Sequence, residues 1–303
     1  MALTSTQLLA LKTTLVARFK AGLVAQREDY KKIAGVISSN SHSNTYGWLT
    51  QFPAFIEWVG GASRTHKTVK EIAYTVANKK FENTIDIPRE DIEDDNFGHY
   101  GDIAQSHGES INDLFNDLIF AAIAAGFASV CYDGQYFFDS DHPVYPNENG
   151  TGTATTISNV QAGTGEPWVL LCTKRAPKAI YLQNRMAPEF VAMTDLTSQQ
   201  VFDYDLFSFG GRYRGNAAYG FWQCAFGSKD TLDETNFNAA YDAMMKFKGD
   251  GNRKIGIVAD TLVVGPDNRA AAEELILAQN KAGGASNVNY KKVELLVTPW
   301  MGS

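Results

Sequence analysis

Apolar residues between positions 102 and 126 recur at intervals of three and four, the spacing of one face of an α-helix. They are Ile111, Leu114, Phe115, Leu118, Ile119, Ala122 and Ile123. The pattern predicts one amphipathic helix over residues 102–126, roughly 35 Å long at about 1.5 Å per residue. A strand-like segment that ends at Pro88 and an acidic turn at residues 89–95 precede it. A helix of this length is typical of a structural support and is longer than an active site needs.

Residues 60–90 alternate between apolar and polar positions, which is typical of strands with one covered face. The apolar positions are Val69, Ile72, Tyr74, Val76, Phe81, Ile85 and Ile87. Asn78, Lys79 and Lys80 separate the two runs, so the pattern predicts a two-stranded hairpin with its turn near these residues. An isolated hairpin is marginally stable in water. We therefore expect this hairpin to pack either on a partner chain or on its own domain.

The rest of the chain mixes helical and strand-like patterns. Apolar residues at helical spacing follow Ser5 and Thr6, either of which can cap a short N-terminal helix. Further helices are predicted at residues 235–247 and 267–279. Strands are predicted at residues 131–138, 168–172, 179–182, 202–209, 219–225, 254–258, 261–264 and 293–298. Together these elements predict a mixed α/β fold.

Six segments of the chain, taken in order, resemble one protein family. They are VKEIAYTVANKKFENTIDIPREDIEDD at 69–95, FFDSDHP at 137–143, WVLLCTKRAPKAIYLQNRMAPEF at 168–190, RGNAAYGFWQCAFGS at 214–228, LVVGPDNRAAAEELILAQ at 262–279 and VELLVTPW at 293–300. In content and order they are similar to the major head subunits of Mu-like phages, which have the Hong Kong 97-type capsid fold. The segments cover nearly the whole chain, and none of them is a catalytic motif.

The resemblance implies an organisation in four parts. Residues 1–59 are expected to form an N-terminal arm that lies across neighbouring subunits, and residues 60–90 an extended flap. Residues 91–230 are expected to form mainly a peripheral domain around the spine helix 102–126. Residues 231–303 are expected to form mainly an axial domain, which surrounds the symmetry axes of a ring of subunits.

The resemblance also implies a structural function without catalysis or cofactor. The subunit is expected to assemble with copies of itself into hexamers and pentamers of an icosahedral head that encloses double-stranded DNA. It would then belong to the virion, after assembly in the host cytoplasm. A separate scaffold protein, a portal and decoration proteins are the other expected partners. The alternative is an encapsulin-like nanocompartment shell, which has the same fold and holds a cargo enzyme.

Composition changes this picture little. The 303 residues are 44% hydrophobic and 20% charged, which is ordinary for a globular protein. The net charge of −7 and the scattered lysines and arginines argue against a protein that binds nucleic acid through a basic face. Three widely spaced cysteines support neither a disulfide framework nor a zinc knuckle. No apolar run reaches the roughly 18 residues of a membrane span.

One short cluster has metal-ligand chemistry. Asp139, Asp141 and His142 offer two carboxylates and an imidazole within four residues, and such oxygen and nitrogen donors suit a metal ion. The same run, followed by Pro143, is also typical of a tight turn in which the aspartates accept hydrogen bonds from backbone N–H groups. We favour the turn and keep the metal as a weak alternative.

The acidic turn and the predicted hairpin are the candidate assembly surfaces. The expected interface residues are Val69, Ile72, Tyr74, Val76, Phe81, Asp91, Glu93 and Asp94. The carboxylates could also simply be stabilised by the dipole of the helix that follows them. Nucleophile-elbow and nucleotide-binding motifs are absent from the sequence, so an enzymatic function has no support from motifs.

Overall fold

The computed structural model describes residues 5–25, 27–47, 73–93, 97–148, 150–281 and 283–302. The helices are α1 (Ser5–Ala25), α2 (Tyr30–Ile33), α3 (Arg89–Glu93), α4 (Phe97–Ala125), α5 (Gln199–Tyr204), α6 (Glu234–Met245) and α7 (Arg269–Ile276). The strands are β1 (Ala34–Ser38), β2 (Ser43–Gly47), β3 (Ala73–Ala77), β4 (Lys79–Pro88), β5 (His142–Val144), β6 (Thr155–Ile157), β7 (Val160–Gln161), β8 (Trp168–Leu171), β9 (Ile180–Met193), β10 (Leu206–Tyr219), β11 (Ala225–Ser228), β12 (Lys248–Gly249), β13 (Arg253–Lys254), β14 (Thr261–Val264) and β15 (Glu294–Val297). The mixed α/β class predicted from the sequence is confirmed.

The predicted spine helix is present as α4, and it packs on a four-stranded sheet of order β1-β9-β10-β4. Aromatic side chains join the two: the ring of Phe115 lies 4.8 Å from that of Tyr213 on β10, edge to face. Ile119, Phe120 and Ile123 have no exposed surface. Leu118 is only partly buried, so the centre of the buried stripe lies one residue further along than the sequence pattern suggests.

A second sheet carries the C-terminal half of the core. Its strand order is β15-β14-β8-β11-β7, and α6 and α7 pack against it. Every residue of β8 and of β14 is buried, which explains why both strands are continuous apolar runs in the sequence. The boundary predicted at residue 230 does not separate two sheets, because β14 pairs with β8 across it. The division into peripheral and axial domains stays a prediction.

Helix α1 lies along α4 of the same chain, and the two backbones meet directly. A Cβ atom added to Gly22 would lie 2.0 Å from the backbone oxygen of Gln105, and one added to Gly108 would lie 2.1 Å from that of Phe19. Only glycine fits at both positions. The buried face of α1 consists of Leu8, Leu11, Leu15 and Phe19. This part of the predicted arm therefore packs on its own subunit, as a helix of 21 residues.

Two asparagines of α4 fix the end of this N-terminal segment. Asn112 donates to the backbone oxygen of Leu23 at 2.6 Å. Asn116 accepts from the backbone N–H of Tyr30 and donates to the backbone oxygen of Arg27, both at 2.9 Å. The helical pattern alone predicts Asn116 on the exposed face of the spine. That prediction is wrong, because the side chain is buried beneath the N-terminal segment and makes two hydrogen bonds to its backbone.

The predicted pairing of the hairpin is also wrong. The strand β3 pairs with β2, and β4 pairs over its whole length with β10, so β3 and β4 do not pair with each other. Asn78, predicted in the hairpin turn, instead donates from its side chain to Ser39 and accepts from Gln183. The ten residues of β4 can bury one face only by joining the larger sheet. The part of the hairpin before Ala73 lies outside the described residues.

Four other predicted strands differ in the structure. Of the strand predicted at 219–225, only Tyr219 and Ala225 lie in strands, and residues 222–224 form a 3₁₀ turn between them. Residues 131–138 form a turn closed by an isolated bridge between Val130 and Tyr136. Residues 202–204 belong to helix α5, with Ser198 as its cap. Only Lys254 of the strand predicted at 254–258 is in a strand. Each segment is short and rich in β-forming residues, and its tertiary surroundings override this propensity.

Candidate assembly surfaces and the buried His142 site

The side chain of His142, on β5, is completely buried and contacts three groups. Its Nδ1 lies 2.7 Å from Oδ2 of Asp133, and its Nε2 lies 3.1 Å from Oδ1 of Asn159. Its ring stacks on Trp222 with centroids 4.0 Å apart and an angle of 10°. The strand alternation of β5 turns His142 and Val144 inward, which brings the imidazole into the core.

The orientation of Asn159 determines which atoms of His142 carry protons. The Nδ2 of Asn159 donates to the backbone oxygen of Phe137, and its Oδ1 accepts from the backbone N–H of Asp139. The imidazole Nε2 faces this acceptor and therefore donates to it. Because Nδ1 faces the carboxylate of Asp133, both ring nitrogens of His142 point at hydrogen-bond acceptors.

The contact with His142 changes the pKa of Asp133. Burial acts to raise the pKa of Asp133, but the hydrogen bond and charge of His142 outweigh it and hold the pKa below its usual value. The thiol of Cys131 and the backbone N–H of Gln135 also donate to Asp133, both at 3.1 Å. The pair therefore closes a hydrogen-bonded loop and joins it to β5.

The described residues contain one group with donors close enough for a metal ion. The ligand atoms of Cys131, Asp133 and His142 lie within 4.8 Å of one another. Their closest approaches, 2.7 and 3.1 Å, are hydrogen-bond distances, and a proton occupies each of these contacts. Burial raises the pKa of the Cys131 thiol well above its usual range, and the thiol donates to Asp133. The donors fit a hydrogen-bonded network better than a metal centre.

Asp139, Asp141 and His142 do not form a three-donor group among the described residues. The side chains of Asp139 and Asp141 contact each other at the turn. His142 turns towards Asp133, which the sequence analysis did not single out. Asp139 is occupied by the turn, where its carboxylate accepts from the backbone N–H groups of Tyr136 and Ser140. Asp133 and Asn159 are nine and seventeen residues from His142, and no local pattern links them. The only available signal is the Asp133–Gly134 pair, which is typical of a turn.

The predicted interface residues around the flap have mixed surroundings. Val76 is buried, and Tyr74 and Phe81 are half-buried against the chain's own core. The ring of Phe81 stacks on Tyr213 at 6.0 Å. These three side chains therefore stabilise the subunit itself, and their role between subunits stays a prediction. Val69 and Ile72 lie outside the described residues.

The acidic turn folds into α3. The hydroxyl of Tyr100 donates to the carboxylate of Asp91 at 2.5 Å, and this hydrogen bond raises the pKa of Tyr100 to about 12. Glu93 ends the helix, while its side chain and Asp94 lie outside the described residues. Asp91 thus has an internal partner, and the interface role of all three carboxylates stays a prediction.

Comparison with known proteins decides the family. The family model of the Mu-like prophage major head subunit gpT matches residues 8–301. The major capsid protein of Escherichia phage Mu is 40% identical over 99% of this chain and all of its own length. The chain belongs to the Mu-like major head subunit family.

Solved structures agree with this assignment. A subunit of the bacteriophage JBD30 procapsid is 44% identical, covers 99% of this chain and all of its own, and superposes with a TM-score of 0.88. A subunit of the JBD30 capsid decorated with minor capsid protein trimers is 32% identical, covers 93% of each chain and superposes with a TM-score of 0.77. The Hong Kong 97-type fold predicted from the sequence is confirmed.

The major head subunit is therefore a structural protein of the virion capsid, assembled from many copies of itself, and its family is not one of enzymes. None of the described helices is both long and apolar enough to span a membrane. His142, Asp133 and Asn159 accordingly have a structural role, because they connect the β5 segment to the core around Trp222.

Proposed function

We propose that this major capsid subunit forms the hexamers and pentamers of an icosahedral phage head that encloses double-stranded DNA. The similarity to the JBD30 procapsid subunit over 99% of the chain carries the proposal. One chain must then occupy several similar positions in the shell, so its work is geometric: it presents matching surfaces to neighbours in rings of different order. The net charge of −7 suits a wall that does not adhere to packaged DNA.

The two sheets suggest how the domains divide. We assign the four-stranded sheet with α1 and α4 to the peripheral domain, because these elements share the spine. We assign the five-stranded sheet with α6 and α7 to the axial domain. This division is supported by strand pairing, since β8 and β11 pair within the second sheet although they precede residue 230. The axial domain then begins well before residue 231.

The flap is proposed to be the β2–β3 ribbon together with the chain that joins its two strands. Its five residue pairs, Ser43–Ala77 to Gly47–Ala73, form the described base of the ribbon. A two-stranded ribbon needs a covering surface, and a neighbouring subunit can supply one. Val69 and Ile72 belong to this segment and are proposed as contacts, with the carboxylates of Asp91, Glu93 and Asp94 as a second contact region.

Other partners are proposed because the chain belongs to the Mu-like major head subunit family. A separate scaffold protein is proposed to guide assembly. A portal is expected at one vertex. Decoration by a minor protein is proposed because the related JBD30 capsid carries minor capsid protein trimers.

Expression of the chain followed by electron microscopy tests the main proposal. Closed shells or capsomers with sixfold and fivefold rings are the expected result, with scaffold protein co-expressed in a parallel culture. Monodisperse monomers under both conditions would contradict it. Replacing Asp91, Glu93 and Asp94 together with lysine should lower the particle yield and leave the circular dichroism of the free subunit unchanged. A normal yield from this triple variant would remove the acidic region from assembly.

A further inference from the structure

One end of the four-stranded sheet presents large apolar side chains to solvent. The segment comprises residues 191–205, which finish β9, turn, form α5 and lead into β10; we call it the tip segment. Phe202 is 84% exposed, Tyr204 is 70% exposed and Val191 is 61% exposed, while Met193 and Leu196 are also exposed. Scattered exposed apolar residues are ordinary, but five within fifteen residues mark an interaction surface.

Hydrogen bonds fix the backbone of the tip segment. The carboxylate of Asp195 accepts from the backbone N–H of Thr197 at 2.9 Å, and the Ser198 side chain caps the first turn of α5. Asp205 adopts the left-handed conformation with φ of 54° and donates its N–H to the backbone oxygen of Val201. The short helix α5 is therefore capped at both ends, although two of its aromatic side chains are exposed to solvent.

The tip segment is also anchored to the core. Val201 is buried in a cluster with Phe207 and Ile87. The backbone N–H of Arg89 donates to the backbone oxygen of Asp205 at 2.9 Å, and the two side chains form an ion pair at 3.7 Å. Aromatic side chains on a fixed backbone lose little conformational freedom on binding, which is the property of interface hot spots.

The charges of the tip segment indicate what kind of surface it meets. It carries Asp195, Asp203 and Asp205 and no lysine or arginine. Asp195 and Asp205 are engaged in the turn and the ion pair, whereas Asp203 lies exposed between the two aromatic residues. A complementary surface therefore combines apolar area with lysine or arginine.

The opposite end of the same strand pair carries the positive charges. Lys80 on β4 lies directly opposite Arg214 on β10, and like charges in this position repel each other. Lys79 and Lys80 are exposed, and the Nε of Arg214 is buried without a hydrogen-bond partner in the described part of the chain. An anionic side chain from outside the subunit would relieve this repulsion.

We propose that the tip segment of one subunit packs against the Lys79, Lys80 and Arg214 region of a neighbouring copy. The occupant is a second copy because the protein belongs to a family whose subunits assemble into a shell. The two surfaces lie at opposite ends of a ten-residue strand pair, roughly 30 Å apart at about 3.3 Å per residue. Such a head-to-tail contact is heterologous, and heterologous contacts form a ring when the rotation between successive copies closes. The inference rests on the proposed self-assembly and adds the contact that mediates it.

A charge-exchange experiment in the full-length chain tests this contact. Asp203→Lys and Lys80→Glu are each expected to reduce the yield of shells at least tenfold, with the thermal unfolding of the free subunit unchanged. The double variant Asp203→Lys with Lys80→Glu is expected to recover most of the yield. Independent losses without recovery, or wild-type yields from both single variants, overturn the proposed pairing. If the unaltered chain itself forms no shells or capsomers, the proposed function fails instead.

A photo-crosslinking amino acid at position 202 identifies the occupant directly. In assembled shells, the photo-crosslinking amino acid at position 202 is expected to react with a peptide of another copy that contains Lys79 and Lys80. A crosslink only within one subunit, or only to a minor capsid protein, overturns the proposal. Phe202→Ser should lower the shell yield, and Phe202→Tyr should retain it because the aromatic area is preserved. Equal yields from the two variants count against a hot spot at this position.

Discussion

Replacing Gly108 with alanine should loosen the N-terminal helix from the spine helix. The new Cβ would lie 2.1 Å from the backbone oxygen of Phe19 and 2.9 Å from the backbone nitrogen of Leu23. The first contact is about 1 Å shorter than the 3.0 Å below which real Cβ contacts essentially never occur. Both neighbours are backbone atoms, so no flexible side chain can move aside. The two helices must therefore separate, and the apolar face of α1 loses part of its contact with the core.

Two effects lower the free energy of unfolding, and one raises it. Overpacking of a close contact costs about 1–3 kcal/mol, and each apolar side chain of α1 that is re-exposed loses part of roughly 1.5–3 kcal/mol. Alanine gains about 1 kcal/mol over glycine inside a helix. We expect a net loss of about 1–3 kcal/mol in the free energy of unfolding, or about 2–5 °C in melting temperature.

The same helix supplies a matched control. A Cβ added to Gly101 would lie 3.7 Å from Nε of Arg18, which is ordinary contact. Gly101→Ala should therefore raise stability slightly, by up to about 1 kcal/mol. Melting curves of the two variants at equal protein concentration, together with hydrogen exchange of the α1 amides, measure the difference. Unchanged protection of α1 and an unchanged melting temperature in Gly108→Ala would refute the close helix contact.

Three further predictions concern buried groups. Asn116→Leu should destabilise the subunit by about 2 kcal/mol or more, because it leaves the Tyr30 N–H and the Arg27 backbone oxygen without partners. Urea unfolding measures this loss, and unchanged stability would mean that other contacts hold the N-terminal segment. The pKa of Asp133 is lowered in the folded state, so its contribution to stability is present above its unfolded value of about 3.9 and is lost as the pH falls through the folded pKa. Asp133→Asn should therefore reduce stability at neutral pH and flatten its decline in acid, and parallel acid profiles for both proteins would contradict the ion pair. Ile119→Asp buries an unpaired carboxylate at a cost of several kcal/mol and should give insoluble protein, whereas Leu118→Asp at a half-buried position should be milder. Soluble, native-sized shells from Ile119→Asp would show that this face of α4 is not in the core.

The sequence by itself determined the elements with strong local periodicity and, through its six segments, the family. The spine helix, α6 and the apolar strands β8 and β14 were predictable because their residues repeat the period of the element that they form. The N-terminal helix was predictable for the same reason. These features depend on neighbours within a few residues of the same chain segment.

The tertiary structure alone decided which segments meet. The sequence pattern of β4 is the same whether it pairs with β3 or with β10, and only the larger sheet makes the second pairing more favourable. The helical pattern places Asn116 on the solvent-facing side of α4, but in the structure α1 and α2 cover it. His142 looks like a partner of nearby Asp139 and Asp141, yet the fold brings it to Asp133 and Asn159. In each case the deciding contact joins residues distant in sequence, where side-chain spacing along the chain carries no information.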